Sequence, residues 1–270
     1  MKITRLGWAG LELESESGDV AVIDLLTSTE PMRERMGEAH TALPGPSRPG
    51  AARLALVTHL HQDHTDADAI AAALSPKGRL LRPAADSGPF LEVAGELEAE
   101  KRLVQLDVRQ QVVREWETVT AGAFTCTAIP AADGFGDVQV SWIVEADGVR
   151  VFHGGDTLFH GWWWRAKMRA GGPIDYAFLP ANGPVVTLPH RQPASPRNAC
   201  LSPAEAAAAA YVLQAGLAIP IHYDALNNPP VYAQVDDPAG SFLAECAALD
   251  VAAAVVEPGQ VVPDQVVSAA

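Results

Sequence analysis

An apolar run that stops abruptly in a cluster of histidines and aspartates limits the folds open to this chain. The run RLALV, residues 53–57, leads into HLHQDHTD, which places three histidines and two aspartates within residues 59–66. A buried strand that delivers side chains from its carboxyl end would have this pattern. Imidazole and carboxylate groups are the usual protein ligands of zinc and similar divalent ions. The sequence therefore predicts one wall of a metal site here, and a merely polar surface loop is the weaker interpretation.

Strand-like and helix-like segments alternate along the rest of the chain. Apolar patterns predict strands in KITRLGW, GLELESE and VAVIDLL, and a second group in ETVTAGAFTCTAIPA, VQVSWIVEADGVRVFHGGD, IDYAFLPAN and LAIPIHYD. Helices are predicted around residues 31–40 and in DADAIAAAL, GPFLEVAGELEAE, SPAEAAAAAYVLQAG and GSFLAECAAL. Two strand-rich halves with helices predict two sheets packed face to face with helices outside. No repeat or linker divides residues 1–270, so we expect one domain.

The composition limits the classes of partner that the chain is expected to bind. The chain has 270 residues, 48% of them hydrophobic, and a formal net charge of −14. It can therefore build a sizeable core, but it lacks the cationic excess that neutralises nucleic-acid phosphates. The sequence predicts neither a signal peptide nor a membrane-spanning stretch. Cys126, Cys200 and Cys246 have no metal-type spacing. We expect a soluble cytoplasmic protein with a small-molecule substrate, no nucleic-acid partner and no membrane insertion, and a homo-oligomer is an open alternative.

The cluster HLHQDHTD resembles the His-x-His-x-Asp-His signature of the metallo-β-lactamase superfamily. Later landmarks of that family follow in order, as IPAADG at 129–134, FHGGDT at 152–157 and IPIHYD at 219–224. The segments LGWAGLELE, LPANG and SPAEAAAAA resemble most the branch that includes ascorbate-6-phosphate lactonase and the acyl-phosphatidylethanolamine phospholipase D enzymes. The resemblance implies an α+β fold, a four-layer αββα sandwich, and a metal-dependent hydrolase.

The family's ligand positions imply a site for two metal ions. Matched residue by residue, two histidines of the cluster bind a first ion, and the Asp-His pair with the later histidine binds a second. An aspartate after a Gly-Gly turn lies between them, because two close cations need a shared anionic ligand to reduce their repulsion. For that aspartate the alternative is a helix cap, and for the last histidine a structural role. The implied ligands are His59, His61, Asp63, His64, Asp156 and His222.

One position departs from the family pattern. Where the family usually has a third histidine ligand of the first ion, after Pro-Ala-x, this chain has Asp133. If this carboxylate coordinates, its harder oxygen shifts the preference from zinc toward manganese, iron or magnesium. The alternative is a turn residue, because ADGFGD is also a good loop sequence.

The resemblance implies a mechanism and a cofactor. With two divalent ions, zinc or manganese first and iron next, a bridging hydroxide attacks an ester, lactone or phosphoester bond of a small substrate, with or without a phosphate group. Asp63 is the predicted catalytic residue, which orients the nucleophile or takes its proton while it touches the second ion. The alternatives are a nuclease or phosphodiesterase of the same fold, a mono-iron thiol oxygenase, and a non-catalytic metal-binding protein with a degenerate first site.

Three tryptophans in a row follow the predicted bridging aspartate. The run Trp162–Trp164, with Arg165 and Lys167, predicts either a pocket wall or core packing with a solvated basic face. Asp66 is open to two similar alternatives, because it either orients a ligand imidazole or begins the helix that follows.

The segment at residues 185–203 is rich in proline and lacks apolar periodicity. It is either a lid over the metals or an ordered surface insertion. As a lid it would bring His190, Arg191 or Arg197 into contact with substrate.

Overall fold

The computed structural model describes residues 1–263. Within that range the strands are β1 (Lys2–Gly7), β2 (Gly10–Glu14), β3 (Val20–Ile23), β4 (Ala52–Leu56), β5 (Leu74–Arg82), β6 (Gln110–Val112), β7 (Thr118–Ala121), β8 (Phe124–Pro130), β9 (Val140–Ala146), β10 (Val149–His153), β11 (Ile174–Pro180), β12 (Val185–Val186), β13 (Ala215–Ile221) and β14 (Tyr232–Ala233). The helices are α1 (Arg33–Met36), α2 (Ala67–Ala73), α3 (Phe90–Gln105), α4 (Trp163–Ala170), α5 (Pro203–Leu213) and α6 (Pro238–Ala248), and a 3-10 turn spans Glu30–Met32.

Two six-stranded sheets dominate the described residues. The first has the order β1-β2-β3-β4-β5-β6, and the second has the order β13-β11-β10-β9-β8-β7. In the first sheet β3 to β6 run parallel to one another. In the second sheet β10, β11 and β13 run parallel, and β9 is antiparallel to both of its neighbours. A small third pairing joins β12 to β14.

Alternating side chains place each sheet between two apolar cores. Along β9, Trp142 and Val144 enter a core that both sheets share, whereas Ile143 enters the core that the second sheet forms with α4, α5 and α6. Along β4, Leu54 and Leu56 enter the shared core, and Ala55 between them packs toward α2 and α3. This period of two is what a strand imposes. The three cores define four layers, so the predicted αββα sandwich is confirmed.

The parallel strands of both sheets end at one edge of the sandwich. Two hydrogen bonds join the sheets there, because the Val140 amide donates to Thr58 O (2.9 Å) and the Trp142 indole donates to Val57 O (3.0 Å). Polar residues follow the strand ends at this edge. They lie after β3, β4, β10, β11 and β13, and they include Asp24, His59, Asp156, Asn182 and His222.

The prediction of a helix around residues 31–40 is wrong in the length of the helix. The structure has the 3-10 turn and then only the single turn of α1, which stops before Gly37 with its left-handed φ of 88°. Helix α1 buries none of its residues. A short helix gains most of its stability from a packed apolar face. Because α1 has no such face, it does not continue beyond one turn.

Candidate metal centre

Three loops at the carboxyl ends of strands carry the predicted ligands. The loop after β4 holds His59 to His64, a Gly-Gly turn after β10 leads to Asp156, and β13 ends directly before His222. Gly155 has a φ of +62°, and a Cβ at this position would lie 2.7 Å from the Cβ of Thr58. Only glycine therefore lets the turn approach the histidine loop so closely.

One group of ligand atoms gathers residues from both sheets. Asp63, His64, Asp156 and His222 each offer one atom, and all four atoms lie within 4.8 Å of one another. The Asp156 Oδ1 atom lies 3.1 Å from His64 Nε2 and 2.9 Å from His222 Nε2. The Asp63 Oδ2 atom lies 3.2 Å from His222 Nε2. This group matches the four residues that the resemblance assigns to the second ion, although metal binding itself stays a prediction.

A second group adjoins the first and shares one member with it. His59, His61 and Asp156 offer atoms within 4.8 Å of one another, and His59 Nε2 lies 2.9 Å from His61 Nδ1. Asp156 is thus the residue common to both groups, which is where the sequence places the bridging ligand.

Both imidazoles of the first group contact other side chains through the Nδ1 atom, which faces away from the ligand atoms. Asp24 Oδ2 lies 2.7 Å from His64 Nδ1, and Asn182 Oδ1 lies 3.1 Å from His222 Nδ1. Each contact leaves the Nε2 atom directed at the other ligand atoms of the group. Partners of metal-bound histidines orient the ring in the same way. The sequence analysis missed both roles, although Asp24 ends the strand VAVID and Asn182 lies in the LPANG landmark.

The imidazoles of the second group have similar partners. Thr58 Oγ1 lies 3.0 Å from His59 Nδ1, and Asp137 Oδ2 lies 2.9 Å from His61 Nε2. Although burial favours the neutral ring, Asp137 and the neighbouring carboxylates raise the pKa of His61 to about 9. Asp137 is therefore a further carboxylate tied to the site, and no local pattern in the sequence marks it.

The buried donor set fits a divalent cation. His64 Nε2 and Asp156 Oδ1 are buried 3.1 Å apart, but the angles of this close contact do not give either atom a hydrogen bond. Such groups are costly unless something satisfies them. Burial opposes charge on Asp156, but His222 and His64 outweigh it and hold the pKa of this carboxyl well below its usual value. Burial also opposes charge on His64, and Asp156, Asp63 and Asp24 outweigh it and raise the pKa of that imidazole. Imidazole nitrogens and carboxylate oxygens are what zinc, manganese and iron accept.

Comparison with known protein families identifies the superfamily that the chain matches. A family model described as "Beta-lactamase superfamily domain" matches residues 21–223. The chain belongs to the β-lactamase superfamily. The resemblance carried by the histidine cluster and the later landmarks is thereby confirmed. No curated protein matches the chain in sequence.

Several solved structures superpose on most of this chain. A metallo hydrolase from the archaeon Ignicoccus hospitalis has a TM-score of 0.66 and 20% identity, with 97% of both chains covered. The metallo-β-lactamase fold protein YhfI from Bacillus subtilis has a TM-score of 0.67 and 14% identity, with 97% and 98% covered. CmlA, a diiron β-hydroxylase from Streptomyces venezuelae, has a TM-score of 0.69 and 14% identity, with 97% of this chain but 53% of CmlA covered. These similarities show the fold and leave the reaction open.

Asp133, the departure from the superfamily pattern, lies outside both ligand groups of the described residues. Its Oδ1 accepts backbone N–H bonds from Phe135 (2.9 Å) and Gly136 (2.7 Å), which is the hydrogen bonding of a turn residue. Its Oδ2 is buried without a partner, and burial raises the pKa of this carboxyl to about 6. The structure therefore supports the turn role, and ligation by Asp133 stays a prediction.

The tryptophan run divides between core and surface. Trp163 is buried against the helices of the second sheet, whereas Trp164 is 53% exposed. None of the three tryptophans lines the cleft above the ligand groups. The Asp66 carboxylate accepts a hydrogen bond from the Ala69 amide at 3.0 Å, so this residue is the N-cap of α2.

The segment at residues 185–203 lies partly at the site. It begins with β12, and His190 and Arg191 line the cleft that opens over Asp63 and Asp156. Arg197 is not among the residues of that cleft. Whether the segment moves as a lid stays a prediction.

One cysteine lies next to the ligand groups, because Cys200 Sγ donates to Asn182 Oδ1 at 3.2 Å and lies 4.0 Å from His222 Nδ1. The three cysteines are free and buried, and burial raises the pKa of Cys126 to about 12. No helix within residues 1–263 has the length and apolar character needed to cross a membrane.

Proposed function

We propose that the protein is a metal-dependent hydrolase that cleaves an ester, lactone or phosphoester bond of a small molecule. The observation that carries this proposal is the position of Asp156, whose carboxylate belongs to both ligand groups. Two cations held side by side need such a shared anion, and paired metal sites of this kind serve hydrolysis. The net charge of −14 supports a small substrate and disfavours a nucleic acid.

The ligand groups divide into two ion sites. We assign the first ion to His59, His61 and Asp156, and the second to Asp63, His64, Asp156 and His222. Mixed imidazole and carboxylate donors suit zinc or manganese, with iron next. Bound divalent ions lower the pKa of a water molecule and stabilise the negative charge that develops on the attacked group.

Asp63 is the residue that we assign to orienting the attacking water molecule. Its Oδ2 accepts a hydrogen bond from the Trp8 indole at 3.2 Å, which fixes the carboxylate at the floor of the cleft. Burial opposes its charge, but His64 and His222 outweigh burial and hold the pKa of Asp63 well below its usual value. The carboxylate is therefore ionised at neutral pH, so it can orient a water molecule by accepting a hydrogen bond from it.

Metal analysis combined with Asp156→Asn tests the proposal. Protein purified without added metal is expected to hold about two zinc or manganese ions per chain and to hydrolyse ester, lactone or phosphodiester probes. Asp156→Asn removes the shared charge, so we expect loss of at least one ion and a fall in kcat of more than about 100-fold. His40→Ala changes an exposed histidine outside both groups and should alter neither quantity.

The same measurements separate the alternatives. One iron ion per chain with oxygen-dependent oxidation of a thiol would favour the oxygenase. Two ions with cleavage of oligonucleotides in preference to small esters would favour the nuclease. A chain that retains no ion would be a degenerate binding protein, and unchanged metal content in Asp156→Asn would contradict the assignment of the shared ligand.

A further inference from the structure

The turn between β1 and β2 contains a tryptophan in a conformation that tryptophan rarely adopts. Hairpin turns with left-handed φ values normally carry glycine, asparagine or aspartate there, and loops of this kind usually lie at the surface. Here the first turn residue is Trp8, whose φ is +48°, and both Trp8 and Ala9 are fully buried. A left-handed backbone costs free energy at a bulky residue, so it persists only where the surrounding structure holds it.

Hydrogen bonds to both backbone groups of Trp8 hold this conformation. Its amide donates to Asp224 Oδ1 at 3.2 Å, and its carbonyl accepts from the His222 amide at 3.0 Å and from Arg5 Nη2 at 3.3 Å. Arg5 and Asp224 also form an ion pair at 2.8 Å, and the Arg5 side chain is fully buried. The turn is therefore tied to the chain that directly follows β13, where one predicted ligand lies.

The indole of Trp8 contacts two predicted ligands of the second ion. Its Nε1 donates to Asp63 Oδ2 at 3.2 Å, and its ring centre lies 4.0 Å from that of His222. Asp63 Oδ2 also lies 3.2 Å from His222 Nε2, so the indole borders the point where the two ligand side chains meet. Trp8 is not among the residues that line the cleft. Its position therefore suits a role toward the ligands and not toward a substrate in the cleft.

Core packing alone does not account for this arrangement. Trp142 is an equally buried tryptophan of the shared core, but it lies within strand β9 and its indole donates to a backbone carbonyl, Val57 O, at 3.0 Å. Trp8 instead combines a strained backbone with an indole N–H directed at a carboxylate. Backbone strain that the surroundings hold in place is concentrated at functional sites, where it fixes a group in one orientation.

We propose that Trp8 is a positioning residue of the second ion site, which holds the Asp63 carboxylate through its N–H and the His222 ring through direct contact. This inference rests on the ion assignment made with the proposed function. A hydrogen bond to a ligand carboxylate restricts its rotation and fixes its orientation toward the ion. Without the N–H, the carboxylate of Asp63 could turn, and it would orient both an ion and a water molecule less well.

Trp8→Phe tests the proposal, because phenylalanine keeps a ring beside His222 and removes the N–H. We expect the affinity for the second ion to fall about 10- to 100-fold in titrations against a chelator of known affinity. The visible absorption spectrum of the protein loaded with Co²⁺ reports ligand geometry, and it should change. Since Trp8 does not line the cleft, kcat for ester and phosphodiester probes should fall while KM stays within about twofold.

Trp142→Phe is the matched control. It removes the same N–H and the same volume at an equally buried position, but its hydrogen-bond partner is no predicted ligand. Both variants are expected to lower the free energy of unfolding, and only Trp8→Phe should change the second-ion affinity, the Co²⁺ spectrum and kcat. Trp8→benzothienylalanine places sulfur where tryptophan has N–H and keeps the size of the ring system. This variant should show the same changes, and it provides folded protein if Trp8→Phe does not.

The outcomes separate the role of Trp8 from the proposed function. Second-ion affinities and Co²⁺ spectra that are equal in wild type and the Trp8 variants, or altered to the same degree in Trp142→Phe, would overturn the proposal and leave Trp8 as a core residue. If the Trp8 variants lose the second ion but the metal-loaded wild type cleaves no ester and no phosphodiester, the proposed function fails and the role of Trp8 stands. A wild-type chain that binds no second ion would contradict both.

Discussion

Each imidazole of the candidate metal centre has a different partner at the nitrogen that faces away from the ligand groups. For His61 this partner is Asp137, at 2.9 Å. A carboxylate in this position fixes the tautomer and the ring orientation, and it makes the opposite nitrogen a stronger donor to a metal. The side chain of Asp137 is itself held, because Arg191 approaches its other oxygen at 3.5 Å. The proposed first ion site is therefore supported by a contact that reaches into the segment at residues 185–203.

Asp137→Asn measures the value of that support. The amide keeps the size of the side chain but removes the charge, so we expect affinity for the first ion to fall about 10- to 100-fold, with the second ion retained. Titration against a chelator of known affinity, followed by metal analysis, gives both quantities. Asp236→Asn makes the same change at an exposed aspartate and serves as the control. Equal affinities in Asp137→Asn and wild type would show that the contact does not tune the ion.

The ligand positions and their partners differ in how well the sequence reveals them. His59 to His64 lie within one loop, so their spacing alone indicates metal chemistry. Asp24 and His64 are 40 residues apart, and Asp137 and His61 are 76 residues apart. Such contacts form only when strands from distant parts of the chain end side by side, and no local pattern records them. Asp133 shows a different limit, because position-by-position matching does not consider the backbone amides that donate to its Oδ1.

Among the structural elements, the turn between β10 and Asp156 leaves little room for a side chain at Gly155. Gly155 combines a left-handed φ of +62° with close contact to the Thr58 side chain. Alanine there would be strained and would also push the turn away from the histidine loop. Since Asp156 is the next residue, such a shift would act directly on both ligand groups.

Gly155→Ala and Gly148→Ala separate these two effects. Gly148 also has a left-handed φ, +76°, but a Cβ there meets nothing within 4 Å. We expect Gly148→Ala to lower the free energy of unfolding by about 1–2 kcal/mol without change in metal content. Gly155→Ala should cost about 1–3 kcal/mol more and should reduce metal content. Chemical denaturation and metal analysis measure the two effects, and similar results for both variants would mean that the Thr58 contact does not limit the turn.

Elements were predictable where a buried face shows in the sequence. The strands near the centre of each sheet are almost continuously apolar, and Ser202 with Glu205 forms the capping box that starts α5. The helix at residues 31–40 failed because α1 has no buried face. Strands β12 and β14 have two residues each, and their pairing depends on the fold around them.

At the scale of the whole molecule, the residues of the candidate metal centre come from both halves of the sandwich. The loop of His59 to His64 follows the first sheet, whereas Asp156 and His222 follow strands of the second. Ions bound by residues of both sheets would hold the sheets together in the folded state and would find no comparable site in the unfolded chain. Metal binding should therefore stabilise the entire chain against unfolding.

Removal of metal by a chelator is expected to lower the midpoint of thermal unfolding. For an ion at a free concentration 100 times its Kd, the lost stability is about 2.7 kcal/mol. For a chain of this size that corresponds to a shift of roughly 5 to 10 °C. The measurement is a calorimetric scan before chelation, after chelation and after metal is restored. Asp156→Asn, which cannot share a charged ligand between the ions, should show a much smaller shift. If the scan of metal-loaded protein matched that of the metal-free protein, with bound metal verified by analysis, the ions would not connect the two sheets.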